Sequence, residues 1–415
     1  MPLLPPTSAS DIFALIAAVG CLCLLVMCLW NMSQFRTLRR AGSLTVDSDS
    51  PGERGVHSPG ERGVHSPGER GVHSPGELIP RISILVPARN EERSIRACVT
   101  SLCEQNDTNF EVIVLNDGST DTTAEILDDV QRQYPQLRIV HGKPLPDGWV
   151  GKSWACQQLS DYALGDEFIF TDADTVHDTE MLTSVRVMTS SGDIDAFSII
   201  PHEELGSFAE HVVIPMVHVL YFCYVPNNLI HTAKNVSISA ANGQFFWFRR
   251  STYESIGGHR AVQNSMVEDV FLARTVKQAG FRLALVDGSN VVRCRMYTSA
   301  RDVTDGFSKN LFPATNYNLP LTVIFLLHLL LFYVIPLPLL FTDAVVYACV
   351  ALASAACIRG LIAWRFAMPL WHVFLQPVTA VWAFVIGIRS IVWAYSPTGP
   401  RWKGRSYPTN RTTRS

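Results

Sequence analysis

From Ile12 to Trp30 the chain carries no charged side chain and is almost wholly apolar. Such a run leaves little structural choice, because inside hydrocarbon every backbone N–H and C=O must be bonded within the segment, and for a single stretch of chain only a helix does this. Arg36, Arg39 and Arg40 follow, so the positive-inside rule places the next part of the chain in the cytoplasm. A cleaved signal peptide is the competing reading, but no basic region precedes the run and no clear small-residue cleavage site follows it. Residues 1–40 are therefore expected to form an uncleaved transmembrane anchor. Composition agrees, since 47% hydrophobic and 17% charged over 415 residues is too apolar for a wholly soluble protein. Towards the other end, within 311–395, Leu319 to Phe341 can span, Ala344 to about Trp364 can cross back if Arg359 snorkels or faces protein, and Met368 to Ile388 is a third candidate. Three spans there would put the basic tail 396–415, with Arg401, Lys403 and Arg405, outside, against the positive-inside rule. Two spans plus an interfacial or re-entrant segment would keep it cytoplasmic, and the sequence leaves both arrangements open.

Between the anchor and the next organised region, residues 50 to 77 repeat Ser-Pro-Gly-Glu-Arg-Gly-Val-His three times and begin a fourth copy. With a proline, two glycines and one apolar side chain per repeat, the stretch cannot bury a core, so residues 41–79 read as a disordered linker. Loose metal binding by His57, His65 and His73 is the weaker alternative to a simple tether. The ten cysteines include no C-x-x-C pair, which suits free thiols in a reducing compartment and argues against a zinc site or a disulfide framework. The net charge is −3 and no basic stripe alternates with aromatics, so no nucleic-acid partner is expected.

From Arg81 the pattern becomes alternating strands and helices. Strands are expected at Ile82–Val86, Glu111–Leu115, around Ile139, and at Phe168–Thr171, Ala196–Ile200 and Gly243–Phe248; helices at Glu92–Leu102, Ala124–Tyr134, Lys152–Ala163, Arg250–Ile256 and Val270–Ala279. A β-α-β-α succession implies an α/β domain with a mainly parallel, doubly wound sheet, whose functional loops lie at the carboxyl ends of the strands. Three such ends are polar: Pro87-Ala-Arg-Asn-Glu91, Asn116-Asp117-Gly-Ser119, and Asp172-Ala-Asp174. Two carboxylates spaced i, i+2 at a strand end can hold a divalent cation that bridges phosphates, although D-x-D alone fits a solvated turn equally well. Three polar strand ends on one sheet edge make a nucleotide site the better reading.

Gly148-Trp-Val-Gly151-Lys152-Ser153 resembles a phosphate-binding P-loop, but the position five before Gly151 is Pro146 where that loop needs glycine. Lys152, near a helix start, is still placed to meet an anion. The apolar stretch Phe208–Tyr224, broken by Pro215, fits a membrane-surface element, an acceptor groove or core packing. Glu268-Asp269 opens a helix, where carboxylates favour the dipole; Asp269 is also a candidate general base for an attacking hydroxyl.

Taken together, Pro87-Ala-Arg-Asn-Glu91, Asn116-Asp117-Gly-Ser-Thr-Asp121, Gly151-Lys152-Ser-Trp-Ala-Cys156, Asp172-Ala-Asp174, Gly243, Gly257-Gly258 and Glu268-Asp269 resemble a family 2 glycosyltransferase. The nearest likeness is to the membrane-anchored branch that includes hopanoid-associated and carotenoid (diaponeurosporenoate-type) glycosyltransferases, over residues 80–310. The resemblance implies a GT-A fold and inverting transfer from a nucleotide-sugar donor, a UDP-sugar by first choice, to a lipid acceptor at the cytoplasmic membrane face. It further implies that Pro87, Glu91 and Asp117 contact the nucleoside, Lys152 and Asp172 the donor, Asp174 with Asp172 a Mg²⁺ or Mn²⁺ ion, and that Asp269 is the base. The Gln-x-x-Arg-Trp signature of processive synthases is absent after Arg295, where Phe307-Ser-Lys309-Asn310 stands instead, which favours transfer of a single sugar. A noncatalytic scaffold and another nucleotide-dependent transferase are the competing expectations.

Overall fold

The computed structural model describes residues 8–38, 81–397, 399 and 401–407; the octapeptide linker lies outside the described residues. The anchor run forms α1 (Ala9–Gln34), opened by a capping box in which Ser8 Oγ accepts from the Asp11 N–H at 3.2 Å and the Asp11 carboxylate accepts from the Ser8 N–H at 3.1 Å.

Beyond the linker come β1 (Ile82–Ala88), α2 (Ile95–Cys103), β2 (Phe110–Asn116), α3 (Thr123–Gln133), β3 (Leu137–His141), α4 (Gly151–Tyr162) and β4 (Glu167–Thr171), with the four strands parallel in the order β3-β2-β1-β4. Helix α2 starts at Ile95 and not at Glu92, and in the turn before it the Glu91 and Glu92 N–H groups donate to Thr123 Oγ1 and the Asp121 carboxylate at 2.8 and 3.2 Å. The chain continues through β5 (Thr175–His177), α5 (Met181–Thr189), β6 (Ala196–Ile200), β7 (His202–Glu203), α6 (Phe208–Val213), α7 (Pro215–Cys223), α8 (Asn227–Thr232), β8 (Phe245–Arg249), α9 (Arg250–Ser255), α10 (Glu268–Gln278), β9 (Leu283–Asp287) and β10 (Val292–Cys294). Strand β8 inserts between β4 and β6, antiparallel to both, and β9 pairs parallel with β6, so the seven-stranded order is β3-β2-β1-β4-β8-β6-β9. The expected mainly parallel α/β sheet is thus present. A second, three-stranded sheet, β5-β10-β7, stands beside it and had no clear sequence signature.

Side-chain alternation divides the large sheet's two faces. Ile82, Ile84 and Val86 of β1 with Phe245 and Trp247 of β8 pack under α2, α3 and α5. Leu85, Phe168, Phe170, Phe246 and Phe248 face the other way, onto α4 and α10, and this second core runs on without a break to Cys28, Phe222, Ile358 and Phe366 among the apolar helices. The enzyme-like domain therefore sits directly on the membrane region and shares a core with it.

That region comprises α11 (Ala300–Ala314), α12 (Leu319–Tyr333), α13 (Pro336–Leu339), α14 (Val345–Arg365) and α15 (Gln376–Tyr395), followed by a hairpin of β11 (Arg401–Trp402) and β12 (Arg405–Ser406). Among the described residues four stretches are long and apolar enough to cross a membrane: Ala9–Gln34, Leu319–Leu339, Val345–Arg365 and Gln376–Tyr395. The last begins at Gln376 and not at Met368, since Pro369 and a 3₁₀ turn at Leu370–Phe374 intervene. Arg365, at the end of α14, pairs with Asp287 at 2.7 Å and donates to Thr37 Oγ1 at 2.8 Å, which fixes the domain-side ends of α1 and α14 against the end of β9.

Candidate active site

The three polar strand ends do converge. At the end of β1, Asn90 adopts φ +53°, a left-handed conformation that asparagine tolerates better than most residues. Its N–H donates to Ser119 Oγ at 3.0 Å and its Oδ1 accepts from the Thr120 N–H at 2.8 Å. These bonds tie the loop after β1 to the loop after β2, so that Pro87, Glu91 and Asp117 line one cavity. At the end of β4 the chain turns sharply: the Asp172 N–H donates to Gln244 O at 3.2 Å, and Thr175 Oγ1 donates to Asp172 O at 2.7 Å. Ala173 points into the core while Asp172 and Asp174 are half-buried and line the cavity.

Lys152, in the first turn of α4, joins two of these groups. Its Nζ lies 2.7 Å from Asp172 and 3.0 Å from Glu268, and donates to Gly243 O at 3.3 Å. Burial works against the charge of Lys152, but Asp172 and Glu268 outweigh it and hold the amine protonated. Burial opposes the charge of Glu268 likewise, and the Lys152 ammonium overcomes that and keeps the carboxyl below its usual range. The next residue behaves differently. Burial, then the charge of Glu268, pushes Asp269 up to about 6, while one carboxylate oxygen accepts from the Val270 N–H at 2.8 Å. The adjacent pair thus separates into a fixed anion and a carboxylate able to exchange a proton near neutrality.

Asp174 carries the clearest sign of an absent partner. Its Oδ1 is sealed from solvent and makes no hydrogen bond among the described residues, and burial with the Asp172 charge pushes it up to about 7. An orphaned carboxylate oxygen beside a second carboxylate fits a hard divalent cation. Among the described residues no set of three or more His, Cys, Asp or Glu side chains gathers for a metal. Among the described residues Asp172 and Asp174 are the pair that fits such an ion, which would complete its shell with phosphate and water.

The cavity, about 1130 Å³, is larger than the acidic cluster. It extends past Asp269 to Met216 and Leu220 of α7, Tyr224 just after it, Tyr297, Phe307 and Leu311 near and along α11, and Phe325 of α12. The Phe208–Tyr224 stretch, open among three readings in the sequence, both packs in the core through Val219 and Phe222 and lines this groove. Sequence reasoning missed three contributors. Lys309 borders the cavity, and burial lowers its pKa to about 8. Lys403 and Arg405, 312 and 288 residues away from their partners in the chain, pair with Glu91 and Asp117. The only sequence signal was a Lys-Gly turn within a basic tail.

Comparison with known proteins bears on this geometry. Residues 83–257 match the family described as glycosyl transferase family 2. The chain contains a family 2 glycosyltransferase domain. The matched segment holds Pro87, Glu91, Asp117, Lys152, Asp172 and Asp174 and stops short of Asp269. The domain resembles the 4,4'-diaponeurosporenoate glycosyltransferases of Staphylococcus haemolyticus, at 26% identity over 238 residues (57% of this chain, 62% of the relative), and of Staphylococcus aureus, at 26% over 236 residues (55% and 60%). The chain thus spans about three fifths of the length of these curated relatives. Among solved structures, the mannosyltransferase PcManGT from Pyrobaculum calidifontis, in complex with GDP-Man and Mn²⁺, superposes with a TM-score of 0.52 at 16% identity, covering 93% of this chain and 100% of that one. The glycosyltransferase domain has a GT-A type fold, and the likeness to PcManGT extends into the helices beyond it.

Proposed function

We propose that the protein transfers a single sugar, with inversion, from a nucleotide-sugar donor to a hydroxyl or carboxyl group of a lipid-like acceptor at the cytoplasmic face of a membrane. One observation carries this reading: the carboxylate cluster of a glycosyltransferase domain opens directly into an apolar groove walled by Leu220, Tyr224, Phe307, Leu311 and Phe325, on helices that share the membrane region's core. A polar reacting centre joined to an apolar groove suits an amphiphile whose head reacts while its tail stays out of water.

In this mechanism Glu91 and Asp117 accept hydrogen bonds from the nucleoside, with Pro87 at its edge, and a UDP-sugar is the first choice of donor. Asp172 and Asp174 would hold Mg²⁺ or Mn²⁺, which when bound neutralises charge developing on the leaving diphosphate. The structural relative is a Mn²⁺ complex with a nucleotide sugar. Lys152 pairs with both Asp172 and Glu268, offsets the repulsion between them and keeps Glu268 ionised. Asp269 takes the proton of the acceptor's hydroxyl as its oxygen attacks the sugar from the face opposite the diphosphate.

The membrane arrangement follows the same reading. Helix α15 lies along α11: Trp382 Nε1 donates to Thr304 Oγ1 at 3.1 Å, Arg389 pairs with Asp305 at 2.6 Å, and Ser390 Oγ accepts from the Phe312 N–H at 2.9 Å. Its first turn is bonded to α6, Thr379 Oγ1 donating to Val212 O at 2.6 Å. These bonds to α6 and α11 support a reading in which α1, the α12–α13 pair and α14 cross the bilayer and α15 stays at the interface. The tail then shares the domain's side, in accord with the positive-inside rule. A fluorescent protein fused after residue 415 should fluoresce in the cytoplasm, and a periplasmic reporter at the same place should be silent.

The activity is tested by incubating purified protein with UDP- and GDP-sugars, Mn²⁺ and extracted membrane lipids. Release of nucleoside diphosphate together with a lipid heavier by one sugar is expected. Release of pyrophosphate would instead mean nucleotidyl transfer, and a failure to consume any donor would mean a scaffold.

A further inference from the structure

We propose that the C-terminal hairpin is part of the donor site, with Lys403 and Arg405 gripping the diphosphate of the nucleotide sugar. The inference rests on the transferase reading above. It begins with how well the hairpin is built. Lys403 and Gly404 have φ +45° and +79°, the two left-handed central residues that a type I′ turn requires, between the bridged pairs Trp402–Arg405 and Arg401–Ser406. Arg89, held at the domain by Asp117 O at its Nη1, donates from Nε to Lys403 O at 3.0 Å. Opposite it, the start of α4 is a glycine, Gly151, and a Cβ there would meet the ends of the Arg405 and Tyr407 side chains and displace them. The hairpin therefore has a fitted seat on the catalytic domain.

Its basic side chains lie where the donor must lie. Lys403 Nζ pairs with Glu91, and the Arg405 guanidinium grips both oxygens of Asp117, with Nη2 to Oδ1 at 3.0 Å. Lys403 lines the same cavity as Asp172 and Asp174 while its Nζ is on Glu91, so it borders the space shared by Glu91 and the D-x-D pair. A diphosphate chelated through Asp172 and Asp174 and carrying a nucleoside on Glu91 and Asp117 must pass through that space.

Charge completes the argument. Glu91, Asp117, Asp172, Asp174, Glu268 and Asp269 all line the cavity. Within the domain Lys152 is engaged by Asp172 and Glu268, and Arg89 is engaged by the carbonyls of Asp117, Gly118 and Lys403. Lys309 and the exposed Arg93 also border the cavity, and Arg295 there is paired with Glu210 at 3.4 Å, while Glu92, Asp121, Asp302 and Asp305 add further carboxylates. A diphosphate entering without the hairpin would face a surplus of carboxylates. With it, the ion pairs exchange: Lys403 and the planar Arg405 fork turn to phosphate oxygens, a geometry that guanidinium matches bidentately, and Glu91 and Asp117 are released to accept from the ribose and base.

The test measures equilibrium binding of UDP, GDP, uridine and guanosine, each with Mn²⁺, to the purified full-length protein and to K403A, R405A, R405K and a chain ending at residue 397. The proposal expects the favoured nucleoside diphosphate to bind about tenfold or more weakly to K403A, R405A and the shortened chain, with R405K between them and wild type. The matching nucleoside, which has no phosphate, should bind these variants as well as wild type or better. Equal or tighter diphosphate binding by the variants would overturn the proposal and make the hairpin a plug that the donor displaces. If wild type binds neither diphosphate, the transferase reading itself fails and the hairpin assignment falls with it. R405K, which keeps the charge and the seat, and thermal midpoints for all chains separate lost binding from lost folding.

Discussion

Replacing Asp269 by asparagine tests the chemical reading most sharply, because the structure sets both a magnitude and a pH signature. Asp269 is isosteric with asparagine, its Val270 N–H bond can be kept by the amide oxygen, and Lys152 is bonded to Glu268 and Asp172 and not to it. The substitution should therefore remove a proton acceptor while leaving the donor pocket intact. General-base catalysis is worth about 10²–10⁴-fold, so kcat should fall by that factor, on the order of 3–5 kcal/mol of barrier, with little change in donor KM. The pH dependence follows from the carboxyl held at about 6. A base must be ionised to work, so activity rises with pH through that value. About nine tenths of Asp269 is ionised at pH 7 and about one tenth at pH 5, so wild-type kcat/KM should lose roughly a factor of ten per pH unit below 6. This acid limb should vanish in D269N. The sign for stability is opposite: a carboxyl raised by burial is costly when ionised, so at pH 7 the D269N thermal midpoint should be unchanged or higher. The assay is nucleoside diphosphate release under saturating donor from pH 5 to 8. Near-normal kcat in D269N, or a residual rate that keeps the same acid limb, would refute the assignment; if E268Q then abolished turnover, the base would be Glu268.

Three further outcomes are expected. Asp174→Asn should raise donor KM and lower turnover together, and EDTA should silence the wild type; full activity in EDTA would remove the metal from the scheme. Gly243→Ala should lower kcat without unfolding the domain, because its Cβ would lie 3.1 Å from Lys152 Nζ and 3.3 Å from Asp269 Oδ2 and must push one of them aside; unchanged kinetics would show that the pair tolerates displacement. Deleting residues 50–73 should leave the thermal midpoint in place, since a Pro- and Gly-rich tether buries almost nothing and loop length costs little closure entropy; a large drop would mean that the repeat packs on the domain.

The domain's own architecture was largely legible because it is written locally. The apolar runs at Ile82–Val86 and before Asp172 mark buried strands whatever surrounds them, and glycine ends helices wherever it supplies a left-handed residue, as Gly257 does at φ +81° and Gly280 at +84°. The antiparallel insertion of β8 was not legible. Phe245–Arg249 reads as a buried strand in either direction, and its place was decided by pairing with β4 and β6 on both sides. The small sheet escaped for a related reason: β7 has two residues and β10 three, too short for any period to show.

The site was legible only as far as its groups are neighbours in sequence. Asp172 and Asp174 announce each other, and Glu268 lies beside Asp269, but nothing in the chain says that Lys152 would bind one member of each pair and so make Asp269 the more basic of its two. The hairpin is the extreme case. Lys403 and Arg405 look like the basic flank that follows any membrane segment, and charge patterning gives them to the lipid surface. What assigns them to the cavity is their pairing with Glu91 and Asp117, reached by a chain whose last helix, α15, lies along α11. In the proposed topology α15 stays at the interface; were it to cross the bilayer, the same two cations would lie on the opposite face. The membrane topology and the composition of the donor site are thus one question, and moving the tail across the membrane would remove two of the site's cations without altering a residue of the glycosyltransferase domain.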